Sequence, residues 1–317
     1  MSKMKLRVAF QMDAMETIEI EGDSTFALAL EGQRRGHELF HYTVDNLSLN
    51  QGDVSAIVRS LKVRDQRTDY FSCGDPIREN LNKFDIIFMR QDPPFDMAYI
   101  TATHLLEKIH PSTLVVNNPF HVRNAPEKIF VTNFQEYMPP TLISKDLDEI
   151  QNFRKKYKDI VVKPLFGNGG FGVFHISPDD ENLSTLIELF TNYFREPVMT
   201  QLYLPEVKNG DKRIILVNGE PCGAISRVPA KGEARANLHV GAKPMKTKLT
   251  ERDLEICDAI GPDLLTRGLI FVGIDVIGSY LTEINVTSPT GIREISILDD
   301  INIDSKIWDT IEKIRSN

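Results

Sequence analysis

Apolar and polar positions change period several times along the first third of the chain. Short apolar runs alternate with amphipathic stretches of helical period, which predicts strands at 6–12, 38–42, 84–89 and 113–116 and helices at 25–35 and 97–109. Asp23 and Ser24 offer N-caps for the first helix, and Gly36 offers its stop. Strands that alternate with helices indicate a mostly parallel sheet.

Three polar residues stand at the carboxyl ends of these strands. Asp13, Arg90 and Asn117 each come directly after a predicted strand. Ligands of parallel sheets bind beyond these strand ends, so we expect the three side chains near a substrate crevice. Taken alone, the segment is also consistent with a stiff loop at Pro93-Pro94 and a plain surface charge at Arg90.

From about residue 123 the pattern becomes that of a compact α+β unit. The predicted elements are a helix containing Lys128, a helix from Ser144 or Asp146 to Tyr157, strands at 160–163, 173–176 and 198–202, and a helix at 182–194. This stretch has strands and helices in irregular order, unlike the regular alternation that precedes it.

The last third predicts a unit rich in hairpins. Strands at 212–217 and 221–227 flank Asn218-Gly219, which is a strong signal for a type I′ turn. Residues 228–248 show no periodicity, and loops of this length are usually lids, binding loops or disordered segments. A helix at 251–267 and two strands around Gly278-Ser279 follow. We therefore expect three domains, at 1–122, 123–200 and 201–317.

Composition and charge narrow the class of protein. The 317 residues carry 37 Lys and Arg against 45 Asp and Glu, a formal net charge of −8, and 41% of them are hydrophobic. This is an ordinary globular composition, and its acidity argues against a nucleic-acid partner. Without a signal-peptide pattern or a bilayer-length apolar stretch, we expect a cytoplasmic protein that does not contact membranes. The widely spaced Cys73, Cys222 and Cys257 favour reduced thiols over a disulfide or zinc site.

A glycine-rich segment is the first candidate site. Lys163 ends a predicted strand, and residues 167–172 contain four glycines before the next strand. Such glycines let backbone N–H groups approach a polyphosphate, and the lysine supplies a fixed positive charge. The segment is not a Walker A loop, because that spacing and the terminal Lys-Ser/Thr are missing, and it is not a Rossmann fingerprint, because a strand and not a helix follows. A flexible hairpin without a ligand remains an alternative interpretation of this segment.

A set of oxygen ligands is the second candidate site. Glu283 and Asn285 are two apart on a predicted strand and share one of its faces. Asp275 joins that face if it pairs with Glu283, which requires an odd-length loop such as residues 278–280. Two carboxylates and an amide oxygen suit Mg²⁺ completed by substrate phosphates. The alternative is a solvated polar strand face.

Five cations near the long loop form the third candidate site: Lys212, Arg213, Arg227, Arg235 and Arg293. Arginine binds carboxylates and phosphates through two parallel hydrogen bonds. Each of the five is by itself an ordinary surface charge, but their convergence around the oxygen ligands indicates a binding site for anions.

The order of these motifs resembles the ATP-grasp superfamily. That order is Lys128, Lys163 with its glycine loop, Lys212-Arg213, the loop from Arg227 to Lys243, Asp275, and Glu283-Ile284-Asn285. More narrowly, RQDPPFD at 90–96, GDKR at 210–213 and LTEINVTSPTGIRE at 281–294 resemble prokaryotic glutathione synthetases. The similarity extends from about residue 5 to about residue 294. Phe166, Asn168 and Gly291 depart from the residues that relatives carry there.

The resemblance implies an α/β protein: an ATP-grasp fold preceded by a parallel-sheet βαβ N-terminal domain, with a small α+β lid domain in the middle. It implies that γ-glutamylcysteine is ligated to glycine through an acyl phosphate, while ATP is cleaved to ADP and phosphate. It also implies Mg²⁺, with Mn²⁺ as a possible substitute, and a homo-oligomer.

The resemblance further assigns roles to residues. ATP would be bound by Lys128, Lys163, Gly167, Asn168, Gly169, Gly170, Gly172, Gln201, Leu202, Tyr203, Leu204 and Asp211. The metal would be held by Asp275, Glu283 and Asn285, and catalysis would use Arg213, Lys163 and Arg235. Substrates would be bound by Arg90, Arg213, Arg227, Arg235, Asn237, Ser288, Pro289, Thr290 and Gly291. Residues 228–243 would close as a lid that excludes water from the acyl phosphate.

Two rival functions are open at this point. Another ATP-grasp carboxylate–amine ligase, acting on a different peptide or amino acid, would share the phosphate and metal residues. A non-catalytic nucleotide-binding protein of the same fold would have lost at least one metal ligand or phosphate lysine. All of these residues are present in the sequence.

Overall fold

The computed structural model describes residues 5–230 and 241–316. The strands are β1 (Arg7–Gln11), β2 (Glu38–Tyr42), β3 (Leu47–Asn50), β4 (Asp53–Val63), β5 (Phe71–Cys73), β6 (Ile77–Asn80), β7 (Ile86–Met89), β8 (Leu114–Val116), β9 (Thr141–Ser144), β10 (Ile160–Pro164), β11 (Phe174–Ile176), β12 (Val198–Leu202), β13 (Asp211–Val217), β14 (Glu220–Val228), β15 (Lys243–Lys246), β16 (Phe271–Ile277) and β17 (Tyr280–Asn285). The α-helices are α1 (Ser24–Arg35), α2 (Met97–Glu107), α3 (Pro119–Arg123), α4 (Glu127–Phe130), α5 (Leu147–Tyr157), α6 (Leu183–Tyr193), α7 (Glu251–Thr266), α8 (Ile292–Asp299) and α9 (Ile303–Ser316).

The first sheet contains the predicted parallel strands in the order β2-β1-β7-β8. Helix α1 begins at the predicted cap, where the Asp23 carboxylate accepts a hydrogen bond from the Phe26 amide, and it ends at Gly36 with a φ of 90°. These signals were readable because capping and the left-handed stop depend on local sequence alone.

An antiparallel extension of this sheet lies outside the prediction. Strand β4 pairs with β2 and also with β3, β5 and β6. Strands β3 to β6 all lie between residues 47 and 80. Val54, Ala56 and Val58 are fully buried at every second position of β4. That period of two is the strand signal in the sequence that the prediction missed.

The middle sheet is antiparallel, in the order β11-β10-β12-β9, and α5 and α6 cover it. It has its own apolar core, which includes Ile150, Val162 and Phe190. Both helices lie where the sequence predicted them, and Asp146 caps α5 by accepting from two backbone amides.

The third sheet is antiparallel, in the order β15-β14-β13-β16-β17. Asn218 and Gly219 connect β13 to β14 with φ values of 53° and 86°, both positive as a type I′ turn requires. Strand β15 lies within residues 228–248, so the prediction that this whole stretch lacks regular structure is wrong for residues 243–246. All four β15 side chains are exposed, and an edge strand without a buried face leaves no alternation in the sequence.

The hairpin of β16 and β17 pairs Asp275 with Glu283, as expected, but through a different turn. The connection is the two-residue turn Gly278-Ser279, and not the predicted odd-length loop. Val276 pairs with Leu281, and the next residue, Asp275, pairs with Glu283. Thr282 is therefore an extra residue between the two pairs and forms a bulge. The extra residue of the bulge gives the same pairing that an odd loop would have given.

The last helix packs against the first. Trp308 of α9 is fully buried, its indole N–H donates to the Leu28 carbonyl at 2.9 Å, and its ring meets Phe88 at 5.2 Å. The final elements of the chain therefore complete the core on one face of the first sheet. Among the helices of residues 5–230 and 241–316, none is both long and apolar enough to cross a membrane.

Asn117 fastens the first sheet to the third, which corrects its expected position near the crevice. Its side-chain amide donates to the carbonyls of Phe271 and Val286 at 2.8 and 2.7 Å, and its oxygen accepts from the Phe271 amide at 2.9 Å. Both of its donors and its oxygen bond to backbone groups, so it is a structural contact, and it does not line the cleft.

Candidate active site

A cleft of about 630 Å³ lies between the carboxyl ends of the first sheet and one face of the third sheet. Asp13 and Arg90, which follow β1 and β7, line it as the rule for parallel sheets predicted. The opposite wall contains Arg213 of β13, Arg227 of β14 and the predicted oxygen ligands of β16 and β17, together with residues 287–290. The sequence signals from distant segments thus converge on one cavity.

Asp275 lies at the centre of the oxygen ligands and is 4% exposed. Arg213 donates to both of its oxygens, from Nε at 2.5 Å and from Nη2 at 2.9 Å, and Arg227 Nη2 lies 3.1 Å from Oδ1. Burial alone raises the pKa of this carboxyl group. The two guanidinium groups outweigh burial and hold the pKa well below its usual range, so Asp275 is ionised.

Glu283 faces two lysines from other segments. Its Oε1 lies 3.5 Å from Lys128 Nζ and 3.6 Å from Lys163 Nζ. Burial raises the pKa of Glu283, but the two ammonium groups more than offset this and lower it. Both predicted phosphate lysines therefore meet the predicted metal ligand.

The two lysines differ in their surroundings. Lys128 Nζ also donates to the Gly167 carbonyl at 2.6 Å and to the carboxylate of Glu127. Burial lowers the pKa of Lys128, but the charges of Glu283 and Glu127 outweigh it and raise the pKa. For Lys163 burial prevails, so its pKa lies below the ordinary value. Glu127 was missed in the sequence, although it adjoins Lys128.

A second, narrower cavity of about 150 Å³ adjoins the same charged groups. Val161, Val173 and Ile277 give it apolar walls, and residues 201–204 of the predicted ATP-binding set line it. Lys163, Asp275 and Glu283 also line it. The cavity therefore combines apolar walls with charged groups of both signs.

Asp211, a predicted ATP residue, also lines the narrow cavity. Arg227 Nη2 donates to its Oδ2 at 2.5 Å. Burial outweighs the attraction of Arg227 and raises the pKa of Asp211 to about 7, with Asp275 adding repulsion. Arg227 thus lies between two carboxylates, of which Asp275 is the more strongly ionised.

The remaining predicted residues fall into three groups. Those that line the larger cleft are Gly167, Asn168, Gly169, Gly170, Ser288, Pro289 and Thr290. Gly172 lines neither cavity and packs against Pro164, while Gly291 lies beside the Arg213 side chain, where a Cβ would meet Cγ at 3.5 Å. Arg235, Asn237 and most of the predicted lid 228–243 lie outside the described residues.

Two members of the predicted cationic set do not join the site. Lys212 points to the opposite face of β13 from Arg213 and bonds to Asp253, the buried carboxylate that caps α7. Arg293 donates to Asp65 at 2.8 Å, outside both cavities. The prediction that these two residues converge on the site was therefore wrong. Neighbouring residues of a strand face opposite ways, which turns Lys212 away from Arg213. Each of the two cations forms an ion pair with a carboxylate outside the site.

Arg90 is held more tightly than a free substrate anchor. Nε donates to Thr25 Oγ1 at 3.0 Å and Nη2 to the Pro289 carbonyl at 2.9 Å, and its guanidinium lies 4.9 Å from the Phe271 ring centre. Sequence reasoning missed Thr25, because no local pattern links it to Arg90. Arg90 joins the two walls of the cleft.

The oxygen ligands can be tested against the needs of a metal ion. No group of three His, Cys, Asp or Glu side chains in residues 5–230 and 241–316 is arranged as a metal site. Two ionised carboxylates and the Asn285 amide, whose Nδ2 lies 3.3 Å from Asp275 Oδ2, supply fewer ligands than a complete cage. That set fits Mg²⁺, which keeps waters and takes further oxygens from phosphates.

The fold and this site define an ATP-grasp ligase. The chain resembles an ATP-grasp ligase complexed with Mg and ADP over 99% of both chains, with a TM-score of 0.61 and 15% identity. It resembles a D-cycloserine synthetase over 96% of this chain and 99% of that one, with a TM-score of 0.67 and 12% identity. These similarities establish the fold.

Sequence comparison identifies the family within that class. Residues 6–123 match the model of the prokaryotic glutathione synthetase N-terminal domain, and residues 127–300 match the model of its ATP-grasp domain. Glutathione synthetases of Brucella melitensis and Mesorhizobium japonicum are 59% and 57% identical over 98% of this chain and 100% and 99% of theirs. That of Vibrio vulnificus is 42% identical over 98% of both.

The chain belongs to the prokaryotic glutathione synthetase family, which confirms the resemblance seen in the sequence. It is an ATP-dependent ligase of glutathione synthesis.

Proposed function

We propose that the chain joins the cysteinyl carboxylate of γ-glutamylcysteine to the amine of glycine, using ATP. The observation that supports this is the opposition of Lys128 and Lys163 to Glu283 beside the pair of Arg213 and Asp275, inside a cleft built from both family domains. Such a cleft can neutralise a polyphosphate and an anionic substrate at once.

ATP is proposed to place its adenine in the narrow cavity, against Val161 and the segment 201–204. Its phosphates would then run past Lys163 towards Lys128 and the glycine loop, where backbone amides of a glycine-rich turn can donate to them. Without a nucleotide, the negative charge of Glu283 faces the ammonium groups of Lys128 and Lys163. In the complex, the phosphate oxygens would also neutralise these two positive charges.

Asp275, Glu283 and Asn285 are proposed to hold Mg²⁺. Bound there, the ion would neutralise charge on the transferring phosphoryl group. The lowered pKa values of Asp275 and Glu283 support this, because both carboxylates are ionised without the metal and need not release a proton to bind it.

The ligation is proposed to proceed in two displacements. An oxygen of the dipeptide's cysteinyl carboxylate attacks the γ-phosphorus, the bond to ADP breaks, and an acyl phosphate forms. The glycine amine attacks its carbonyl carbon, loses a proton, and expels phosphate. Lys163 would stabilise the phosphoryl charge, and Arg213, whose Nη1 donates to the Thr290 carbonyl at 3.2 Å, would stabilise the oxyanion. Arg235 keeps its proposed roles in catalysis and substrate binding, and Asn237 keeps its proposed role in substrate binding.

Four further points are proposed with this function. Three domains, at 1–122, 123–200 and 201–317, and a water-excluding lid at 228–243 are the first two. We expect a homo-oligomer, which light scattering after gel filtration measures. The cytoplasm is the proposed location, because its reducing conditions keep the substrate thiol free.

The reaction is tested by phosphate release from ATP, with γ-glutamylcysteine and glycine omitted in turn. We expect release to require the dipeptide and turnover to glutathione to require both substrates. Release that ignores the dipeptide, or that responds to another peptide or amino acid, would instead favour a carboxylate–amine ligase of different specificity.

A further inference from the structure

An aromatic contact joins the glycine loop to the substrate-side loop. Phe166 directly precedes the glycine loop, and Phe95 lies between Pro94 and the start of α2. Their ring centroids are 6.1 Å apart and the ring planes differ by 13°, a stacked arrangement. The contact therefore joins the segment whose Gly167 carbonyl accepts from Lys128 to the loop that carries Arg90.

The Phe95 side of this contact is rigid. The two prolines before it restrict the backbone, and the Asp96 carboxylate caps α2 by accepting from the Tyr99 amide at 2.9 Å. The Phe95 ring also meets the Tyr99 ring at 5.3 Å, and Tyr99 is buried. Phe95 is thus a fixed surface against which a mobile partner can rest.

The Phe166 side has little support of its own. Gly169, Gly170 and Gly172 all have positive φ values, and each glycine leaves the loop with many alternative conformations. Phe166 remains 36% exposed, so core packing does not hold it. The stack of the Phe166 ring on the Phe95 ring therefore restrains the start of the glycine loop.

The stack of Phe166 on Phe95 also affects Lys128, the proposed phosphate-binding lysine, through the residue next to Phe166. Gly167 follows Phe166, and its carbonyl accepts the hydrogen bond from Lys128 Nζ at 2.6 Å. A Cβ at Gly167 would come within 2.7 Å of Pro164, so the backbone there lies directly against the end of β10. A shift of Phe166 would therefore move the carbonyl that orients Lys128.

The geometry points to Phe95 and Phe166 as positioning residues that hold the glycine loop, and through Gly167 the Lys128 ammonium, in place for the nucleotide. This inference rests on the proposed function, in which Lys128 binds the ATP phosphates. It assigns neither ring a contact with substrate.

A double-mutant cycle tests the pair: Phe95→Ala, Phe166→Ala and both together, with phosphate release measured against ATP at saturating dipeptide and glycine. Each single variant should raise the KM for ATP about two- to twelve-fold, the range that aromatic pair energies give, with kcat changed less. The double variant should resemble the singles, because the pair acts as one unit. An unchanged KM, or effects that multiply in the double variant, would overturn the inference.

Conservative variants separate positioning from loss of structure. Phe166→Tyr keeps the ring and should retain the wild-type KM, and Phe95→Leu should raise it while keeping most of the packing that Phe95→Ala removes. Leu189→Ala, a half-exposed apolar truncation on α6 outside both cavities, is the matched control and should leave KM unchanged. A raised KM in Phe166→Tyr would contradict a role for the ring stack.

Two different measurements test the positioning role of the two rings and the proposed function. If wild-type phosphate release does not need the dipeptide, the proposed function is wrong. The pair is then tested by calorimetric binding of a non-hydrolysable ATP analogue with Mg²⁺, where the same weakening and the same non-additivity are expected. Equal affinity in all four proteins would remove the positioning role.

Discussion

At the scale of single residues, the charges that surround a buried group decide its state. Lys128 and Lys163 lie at nearly equal distances, 3.5 and 3.6 Å, from the same oxygen of Glu283. Their pKa values nevertheless shift in opposite directions, because Glu127 adds a second negative charge at Lys128 while burial prevails at Lys163. Lys163 is therefore the residue whose positive charge gains most from the arrival of phosphate oxygens.

Replacing Glu283 by Gln tests the proposed metal and charge role at this scale. The amide keeps the size of the side chain but removes the charge that faces both lysines, so turnover should fall by about 10²-fold or more. Circular dichroism should show an unchanged fold, since Glu283 borders the cleft and is not part of an apolar core.

Glu79→Gln is the matched control for that variant. Glu79 is also a strand glutamate with two cationic partners, Arg7 and Lys83, but it lies outside both cavities. It should keep its turnover. Equal activity of the two variants would remove Glu283 from the catalytic site.

At the scale of elements, motifs formed by neighbouring residues could be predicted, whereas contacts between segments distant in sequence could not. The turn at Asn218-Gly219, the cap of α5 and the order of Lys163 and its glycine loop depend on neighbours in sequence, and the structure has them as expected. The pairing of Asp275 with Glu283 was also expected, but the bulge at Thr282 was not. A hairpin register can be reached by a longer loop or by a bulge, and sequence spacing does not distinguish them.

Long-range partners explain the other errors. Asn117 follows a strand, as cleft residues do, yet the backbones of two other segments use its amide fully. Lys212 adjoins a site residue, yet Asp253 from 41 positions further along holds it on the opposite face. Which acid or carbonyl meets a polar residue is decided by tertiary packing, and a single sequence does not contain that information in any local form.

Gly219→Ala tests how closely α7 packs on the β13–β14 turn. A Cβ at Gly219 would come within 2.6 Å of the Gly261 carbonyl oxygen in α7, and its φ of +86° already disfavours other residues. We expect the free energy of unfolding to fall by the backbone cost of about 1–2 kcal/mol plus about 1–3 kcal/mol for the clash.

Gly52→Ala is the control for Gly219→Ala, measured by denaturant unfolding. Its φ of +95° imposes a similar backbone cost, but nothing lies within 4 Å of the added Cβ. The difference between the two variants isolates the clash with α7. If both lose the same stability, the close approach of turn and helix is not real.

At the scale of the whole molecule, α9 links the far end of the chain to the first sheet. His37, which follows α1, packs against Trp308 with ring centroids 4.8 Å apart and ring planes tilted by 38°, and its Nε2 lies 3.0 Å from Glu312. Its Nδ1 accepts from the Leu6 amide at 3.4 Å, a role that only a neutral nitrogen can fill. This junction favours uncharged imidazole.

The junction predicts a pH dependence of stability. Burial lowers the pKa of His37 below its ordinary value, and Glu312 offsets only part of that shift. The unfolded chain therefore binds more protons than the folded one, so stability should fall as the pH drops below about 6.5, by at most about 1.4 kcal/mol per pH unit. The measurement is the unfolding free energy of wild type relative to His37→Gln between neutral and mildly acid pH.

Glu312→Gln sharpens this test. It removes the carboxylate that favours the protonated imidazole, so the loss of stability on acidification should become steeper than in wild type. A wild-type curve parallel to that of His37→Gln would show that the imidazole titrates equally in the folded and unfolded chains.

The packing of Trp308 on Leu28 also sets an order of events during synthesis. Helix α1 leaves the ribosome early, but the indole that covers it belongs to α9, 280 residues further along the chain. Until α9 has been made, the core between α1 and the first sheet lacks part of its apolar cover and is open to aggregation or to chaperones. A nascent chain stalled before α9 should therefore be protease-sensitive around α1, even when the middle sheet, with its separate core, is already resistant.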